Sequence, residues 1–189
     1  MKEKVKQKPM PAIAFKAMTA VMSIRRLFRD VGGELRYAGI KPGCYFLDFG
    51  CGLGFNTIPA AKIVGPEGKV FALDISREAI EVLKKKAKKN NLENIETILS
   101  DCDTGLESNS VDIVYLHNTL PLINNKEDVL DEIHRVLKIR GRLSYMSRLF
   151  SRIAGGNSMT DEELRDYLEA DNKFKLIKGR GNQFIFEKK

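Results

Sequence analysis

Apolar positions along this chain change their spacing several times, and each change marks an element. From Ile13 to Val31 they return at helical steps, with Ala17, Val21, Ile24, Phe28 and Val31 on one side and Arg25, Arg26 and Arg29 on the other. Gly32-Gly33 punctuates this helix, and a short second helix, Glu34 to Ala38, leads into the turn Ile40-Lys41-Pro42-Gly43. Strands and helices then alternate. Short apolar runs predict strands at Cys44–Phe49, Lys69–Leu73, Ile95–Leu99, Val111–Leu116 and Arg142–Ser147. Helical spacing predicts helices at Asn56–Val64, Arg77–Asn90, Lys126–Leu137 and Thr160–Ala170, the last opened by Thr160 as cap with Glu163 three residues on. Phe174–Lys178 and Asn182–Glu187 read as two closing strands around Gly179-Arg180-Gly181. Such alternation predicts an α/β fold: a doubly wound, Rossmann-like, mostly parallel sheet with helices on both faces.

Composition narrows this little, but charge placement adds something. The chain has 189 residues, 43% hydrophobic and 30% charged, which suits one globular domain. The expected organisation is a flexible basic arm at 1–11 and a single domain at 12–189, whose residues 12–42 form a helical cap. The net charge is +7, and residues 1–42 hold all of it, with ten Lys and Arg against three Asp and Glu. Such an arm serves solubility, or steers an anionic substrate, nucleic acid or an anionic membrane. The lysines at 84, 85, 86, 88 and 89 read as the solvated face of a helix. No apolar run is long enough to span a bilayer, and Lys16 interrupts the one stretch that could pass for a secretory signal. Cys44, Cys51 and Cys102 are an odd number without metal or redox spacing, and His117 and His134 fall on different elements. These features predict a cytoplasmic location, no disulfide framework and no metal.

The chemistry concentrates where strands end. In a doubly wound sheet, ligands bind outside the carboxyl ends of the strands, at the switch point of strand order. The first strand runs into Asp48-Phe49-Gly50-Cys51-Gly52-Leu53-Gly54. Glycines at alternate positions let the backbone turn tightly and approach a ligand, and the helix beginning after them points free N–H groups at the site. A dinucleotide loop would need its third glycine at position 55, which is Phe55. Asp48 would also repel a pyrophosphate, whereas it suits a ligand carrying an ammonium group. Asp74 ends the second strand, where a carboxylate can accept from both ribose hydroxyls, and Ile75 can cover an adenine face. Asp101, on Ser100-Asp101-Cys102-Asp103, can accept from an exocyclic amine, and His117-Asn118-Thr119 places polar groups at the cleft mouth.

Taken together, Asp48–Gly54, Leu73-Asp74-Ile75, Ser100-Asp101-Cys102, Val111-Asp112-Ile113-Val114 and Glu132–Lys138 resemble, in order and spacing, the motifs of class I S-adenosylmethionine-dependent methyltransferases. The likeness is greatest to the small enzymes of ubiquinone and menaquinone biosynthesis. The resemblance runs from about Ile40 to the end of the sequence. It implies a seven-stranded sheet with an antiparallel C-terminal strand, S-adenosyl-L-methionine as cofactor and a small-molecule methyl acceptor. It also implies roles. Asp48, Gly50, Cys51, Gly52 and Gly54 would hold the methionine moiety, Asp74 the ribose, and Ile75, Asp101 and the Cys102 amide the adenine. The backbone at His117 would receive the ammonium. Lys138-Ile139-Arg140-Gly141 departs from the family's usual Lys-Pro-Gly-Gly, which concerns a surface turn.

Each residue also has a plainer reading. Asp48 and Asp74 could cap the helices that follow them. Asp101 could be a turn residue, and Cys51 and Cys102 small packing residues rather than a thiol relay. His117 is either an acceptor-site residue, at most a general base, or a hydrogen-bonded scaffold histidine. Phe15, Met18 and Met22 could form an acceptor lid or simply pack their helix. Three rival functions stay open. An RNA methyltransferase is motivated by the basic arm, but Asn118-Thr119-Leu120-Pro121 lacks the Pro-Pro-aromatic element. A nicotinamide-dependent oxidoreductase is opposed by Phe55 and Asp48. A non-catalytic S-adenosylmethionine-binding protein would keep the fold without the transfer.

Overall fold

The computed structural model describes residues 30–146, 161–170 and 172–189. The predicted arm, most of the helix from Ile13, its lid residues Phe15, Met18 and Met22, and the cap Thr160 lie outside the described residues. The elements are α1 (Val31–Ala38), β1 (Tyr45–Phe49), α2 (Thr57–Val64), β2 (Lys69–Asp74), α3 (Arg77–Lys89), β3 (Ile95–Leu99), β4 (Val111–His117), α4 (Lys126–Val136), β5 (Leu137–Met146), α5 (Asp161–Ala170), β6 (Phe174–Arg180) and β7 (Gln183–Lys188). One seven-stranded sheet has the order β3-β2-β1-β4-β5-β7-β6. β1 to β5 pair in parallel, and β7 runs antiparallel between β5 and β6. The order reverses between β1 and β4, which fixes the switch point there.

Alternation along the strands divides the core in two. Phe46, Val70, Ile113, Tyr115 and Ile185 face one side, where they pack with Leu35 and Ala38 of α1 and Ala60, Ala61 and Val64 of α2. Ala72, on the same side, meets Ile80, Leu83 and Ala87 of α3. Leu47, Phe71, Val114, Leu116, Leu143 and Phe186 face the other side, against Val129, Ile133 and Val136 of α4 and Leu168 of α5. A buried side chain of this size contributes about 1.5–3 kcal/mol relative to exposure, so the two layers account for the fold's cohesion.

Three local departures from the sequence reading have physical causes. The Gly32-Gly33 pair does not break a helix but lies in the first turn of α1. Asp30 caps it, accepting from the Gly33 N–H at 2.8 Å, and a Cβ on Gly33 would sit 2.0 Å from Asp30 Oδ2. β5 begins directly after α4 rather than at Arg142: Leu137 pairs with Val111 before the register slips, and Arg142 pairs with Ile113. Residues 138–141 bulge between these pairs, with Arg140 at φ 62°. After β4 a 3-10 turn, Leu120–Leu122, buries Leu120 against the sheet.

Candidate functional site

The carboxyl end of β1 delivers its loop to the switch point. Gly50 and Cys51 N–H both donate to the Leu73 carbonyl at 2.8 Å, which pins the loop to the end of β2. Gly50, Gly52 and Gly54 take φ of 79°, 50° and 78°. The first of these glycines also meets a steric demand. A Cβ on Gly50 would lie 2.3 Å from Thr119 Oγ1, because the turn after β4 presses against it. At Gly52, by contrast, nothing among the described residues lies within 4 Å of the added Cβ, which leaves space over the loop's middle.

Two carboxylates stand beneath this loop. Asp48 is buried on the α2 side of the sheet, where the Thr57 hydroxyl at the start of α2 donates to its Oδ2 at 2.6 Å. Asp74 accepts from the Gly52 N–H at 2.7 Å and the Ser76 N–H at 2.8 Å. It has no cation partner among the described residues. Burial raises its pKa, against the lowering effect of the N–H donors. A carboxylate offers about four acceptor positions, so capacity remains for a hydroxyl donor. Cys51 lies near both acids. Burial first, then Asp48 and Asp74, push its thiol well above the ordinary range, so it stays protonated and packs with Ile58 and Ala72.

The turn after β3 is held from the side. Thr104 donates its N–H and hydroxyl to Glu132 of α4, which Arg135 also grips at 2.7 and 2.8 Å. These donors lower Glu132 to about 2. Ser100 N–H donates to the Asp74 carbonyl, and the Cys102 N–H to Ser100 Oγ, so the turn carrying Asp101 stays beside the end of β2. Asp101 itself is exposed and Cys102 half-buried.

His117 ends β4. Its ring is buried, stacks on Tyr115 at 4.0 Å, and lies 3.0 Å through Nε2 from Ser144 Oγ. Gln183 donates to both Ser144 Oγ at 3.1 Å and the Glu34 carbonyl at 3.0 Å, and the Tyr115 hydroxyl donates to that same carbonyl. A polar layer therefore runs from α1 through β7 and β5 to the end of β4. The His117 carbonyl accepts from Thr119 Oγ1 at 3.1 Å, and Asn118, at φ 59°, donates its N–H to the Met146 carbonyl.

The structure thus gathers Asp48, the glycine loop, Asp74, Ile75 and the turns at 101–102 and 117–119 along one edge of the sheet. The sequence reading placed Thr119 at the cleft mouth but missed Thr57 and Gln183. Thr57 follows Asp48 by nine residues at a helix start, a signal that could have found it; Gln183 lies too far along the chain to be linked to the site by pattern. A hollow of about 410 Å³ between α3 and β3, lined in part by Lys84, Lys88 and Thr97, lies at the sheet's outer edge away from this cluster.

The donor set fits a ligand with hydroxyls and an ammonium group better than a pyrophosphate. The Gly52 N–H that a phosphate would need is already committed to Asp74, and both nearby acids would repel an anion. The sheet order, the glycine loop at the switch point and the acids behind it define a doubly wound α/β domain, a class in which ligands lie outside the carboxyl ends of the strands. A family model described as a methyltransferase domain matches residues 40–179. The chain is 33% identical over 114 residues to the arsenite methyltransferase of Halobacterium salinarum, covering 60% of this chain and 29% of that protein. It is 34% identical over 125 residues to the demethylmenaquinone methyltransferase of Geobacillus stearothermophilus, covering 66% and 53%. A SAM-dependent methyltransferase from Aquifex aeolicus of known crystal structure superposes with a TM-score of 0.71 at 24% identity, over 84% of this chain and 87% of that one. The chain belongs to the methyltransferase-domain family. It spans about half or less of the two curated relatives named here.

Proposed function

We propose that this chain transfers the methyl group of S-adenosyl-L-methionine to a small-molecule acceptor. The observation that carries this reading is Asp74, a largely buried carboxylate without a cation, held by the Gly52 and Ser76 N–H groups at the end of β2 with acceptor capacity left over. Asp74 would take the ribose hydroxyls. Asp48, Gly50, Cys51, Gly52 and Gly54 would surround the methionine end. Ile75, Asp101 and the Cys102 N–H would meet the adenine, and the His117 backbone the ammonium. When bound, the cofactor would supply a methyl group on a sulfonium, whose sulfur departs as a neutral thioether when the carbon–sulfur bond breaks. The protein's part is alignment and exclusion of water, which can supply about 7–11 kcal/mol of a barrier. The His117 side chain, engaged by Ser144 and Tyr115, is a positioning group in this reading rather than a base.

The names of the two curated relatives point to small acceptors. The protonated, buried Cys51 speaks against a thiol relay of the kind arsenic chemistry would invite. Cys44, Cys51 and Cys102 are all free thiols, which supports a reducing, cytoplasmic setting. Among the described residues no helix is long and apolar enough to cross a membrane.

Calorimetric titration with S-adenosylmethionine, with NAD in parallel, tests the proposal. Micromolar binding of the first ligand, weakened about 10- to 100-fold by Asp74→Ala, is the expected result, equal to roughly 1.4–2.7 kcal/mol. Binding of NAD alone would overturn it. Tight binding of S-adenosylmethionine without turnover on a broad acceptor panel would leave a binding protein and not an enzyme.

A further inference from the structure

The β6 edge of the sheet carries a feature that the glycine loop does not use. Leu176 pairs with Phe186, but Lys178, two residues on, pairs with the very next β7 residue, Ile185. Ile177 is the extra residue, 38% exposed. Side chains alternate faces along a strand, so one inserted residue moves everything after it to the opposite face. In a regular strand Ile177 and Gly179 would share a face with Lys175. With the bulge, Lys178 and Arg180 do. Lys175, Lys178 and Arg180 accordingly stand opposite Glu187, Ile185 and Gln183, alternate β7 residues of which the last two are buried beneath α1.

The bulge thus lines up three cations beside α1, successive ones about 6.6 Å apart along the strand. Tyr37 of α1 meets two of them: Lys178 Nζ lies 4.3 Å and Arg180 Cζ 4.8 Å from its ring centroid, close enough for cation–π attraction to order both. Neither makes an ion pair among the described residues, whereas Lys69, Lys138 and Lys173 pair with Glu96, Asp112 and Asp131. Glu187 stands across from Lys175 in the register, whereas Ile185 and Gln183, without charge, stand across from Lys178 and Arg180. Residues 1–29, which lead into α1, hold eight Lys and Arg and a single acid. Protection of an exposed edge explains lysines on β6. It does not call for them on one face, in a row, against an aromatic ring.

We propose that this row is a track for the phosphodiester backbone of single-stranded RNA, an anchoring surface distinct from the glycine loop. Cations in a row along a strand match a linear polyanion better than they match a plane of lipid headgroups, and proteins that bind single strands combine such a row with aromatic side chains. The track lies four strand positions from β1, about 19 Å across the sheet. RNA binding there can therefore be measured separately from methyl transfer.

Fluorescence anisotropy of a labelled 20-nucleotide oligouridylate, titrated with the full chain across about 0.05–0.3 M salt, tests this. The expected result is salt-dependent binding in which Lys178→Ala/Arg180→Ala lowers the slope of log affinity against log salt by about 1.4, that is about 0.7 per lost phosphate contact, and weakens binding roughly tenfold at about 0.1 M salt. S-adenosylmethionine affinity, read by calorimetry on the same variant, stays unchanged, which separates this outcome from any failure of the methyltransferase reading. Lys84→Ala/Lys88→Ala, removing two exposed lysines of α3, serves as the charge-matched control and should change binding little. Equal losses in both double variants, no loss in the first, or capture by phosphatidylserine vesicles in place of RNA would each overturn the proposal.

Discussion

The two ends of β1 make a natural contrast. Gly43 precedes the strand and Gly50 follows it, and both sit at φ 79°. At Gly43 an added Cβ would meet nothing within 4 Å, while at Gly50 it would run into Thr119. The carboxylates differ in the same sense. Asp112, at the amino ends, is satisfied by the Tyr45 N–H at 2.8 Å and Lys138 Nζ at 2.7 Å. Asp74, at the carboxyl ends, receives N–H donors and no cation. At Asp112 and Gly43 the fold compensates its own charge and needs glycine only for backbone conformation. At the carboxyl edge it also needs space, and it leaves a negative group uncompensated. That asymmetry is what a ligand site looks like before its ligand is considered.

The sharpest way to break the contrast is Gly50→Ala. We expect S-adenosylmethionine affinity to fall at least about 100-fold, or roughly 2.7 kcal/mol, in a calorimetric titration, with the far-ultraviolet circular dichroism unchanged. Adding Thr119→Gly should restore part of the loss, since the two positions share one space. Next in size is Glu132→Gln, which weakens the tie between α4 and the turn carrying Asp101. A hydrogen-bonded charged group of this kind is worth about 1.5–3 kcal/mol. The folded-state pKa of Glu132 is lowered from 4.5 to about 2, so its contribution is complete above about 4.5 and disappears as pH falls through about 2. Denaturant melts should therefore separate wild type from variant at pH 7 and bring them together near pH 2.

Two smaller effects belong to the amino edge. Gly43→Ala should cost about 1–2 kcal/mol of stability, the penalty of a left-handed backbone, and leave ligand affinity untouched. A variant that lost affinity there would dissolve the contrast. Arg140 stands at φ 62° in the β5 bulge, so Arg140→Gly relieves strain at the expense of chain entropy. A net gain of about 0.5 kcal/mol in a thermal melt is expected.

Much of this was legible from spacing. β3 falls where the apolar run placed it, and the strands that carry Asp48, Asp74 and His117 were visible because short apolar runs give way there to glycine, acid or other polar residues. What escaped depended on distance or on backbone detail. Gln183 bonds to the Glu34 carbonyl across 149 residues of sequence, and no local pattern records such a partner. The β6 bulge escaped because Lys175-Leu176-Ile177-Lys178 gives no period that marks Ile177 as the extra residue. Gly32-Gly33 looked like a helix breaker because its use depends on Asp30, whose carboxylate fills the room a side chain would take. The turn at His117 was located, but the burial of its ring beside Ser144 and Tyr115 depends on partners on two strands.

The position of β7 also constrains the order of events during synthesis. β6 is made before β7 yet cannot reach β5 directly, because β7 occupies the place between them. On a ribosome adding about 5–20 residues each second, a nascent chain that has reached Arg180 still carries an open edge on β5, beside Leu143 and Tyr145. Closure awaits residues 183–188, and with them Lys188, whose buried ammonium grips the Leu137 carbonyl at 2.8 Å. A pause in translation just before that stretch would prolong the interval in which two growing chains could pair edge to edge.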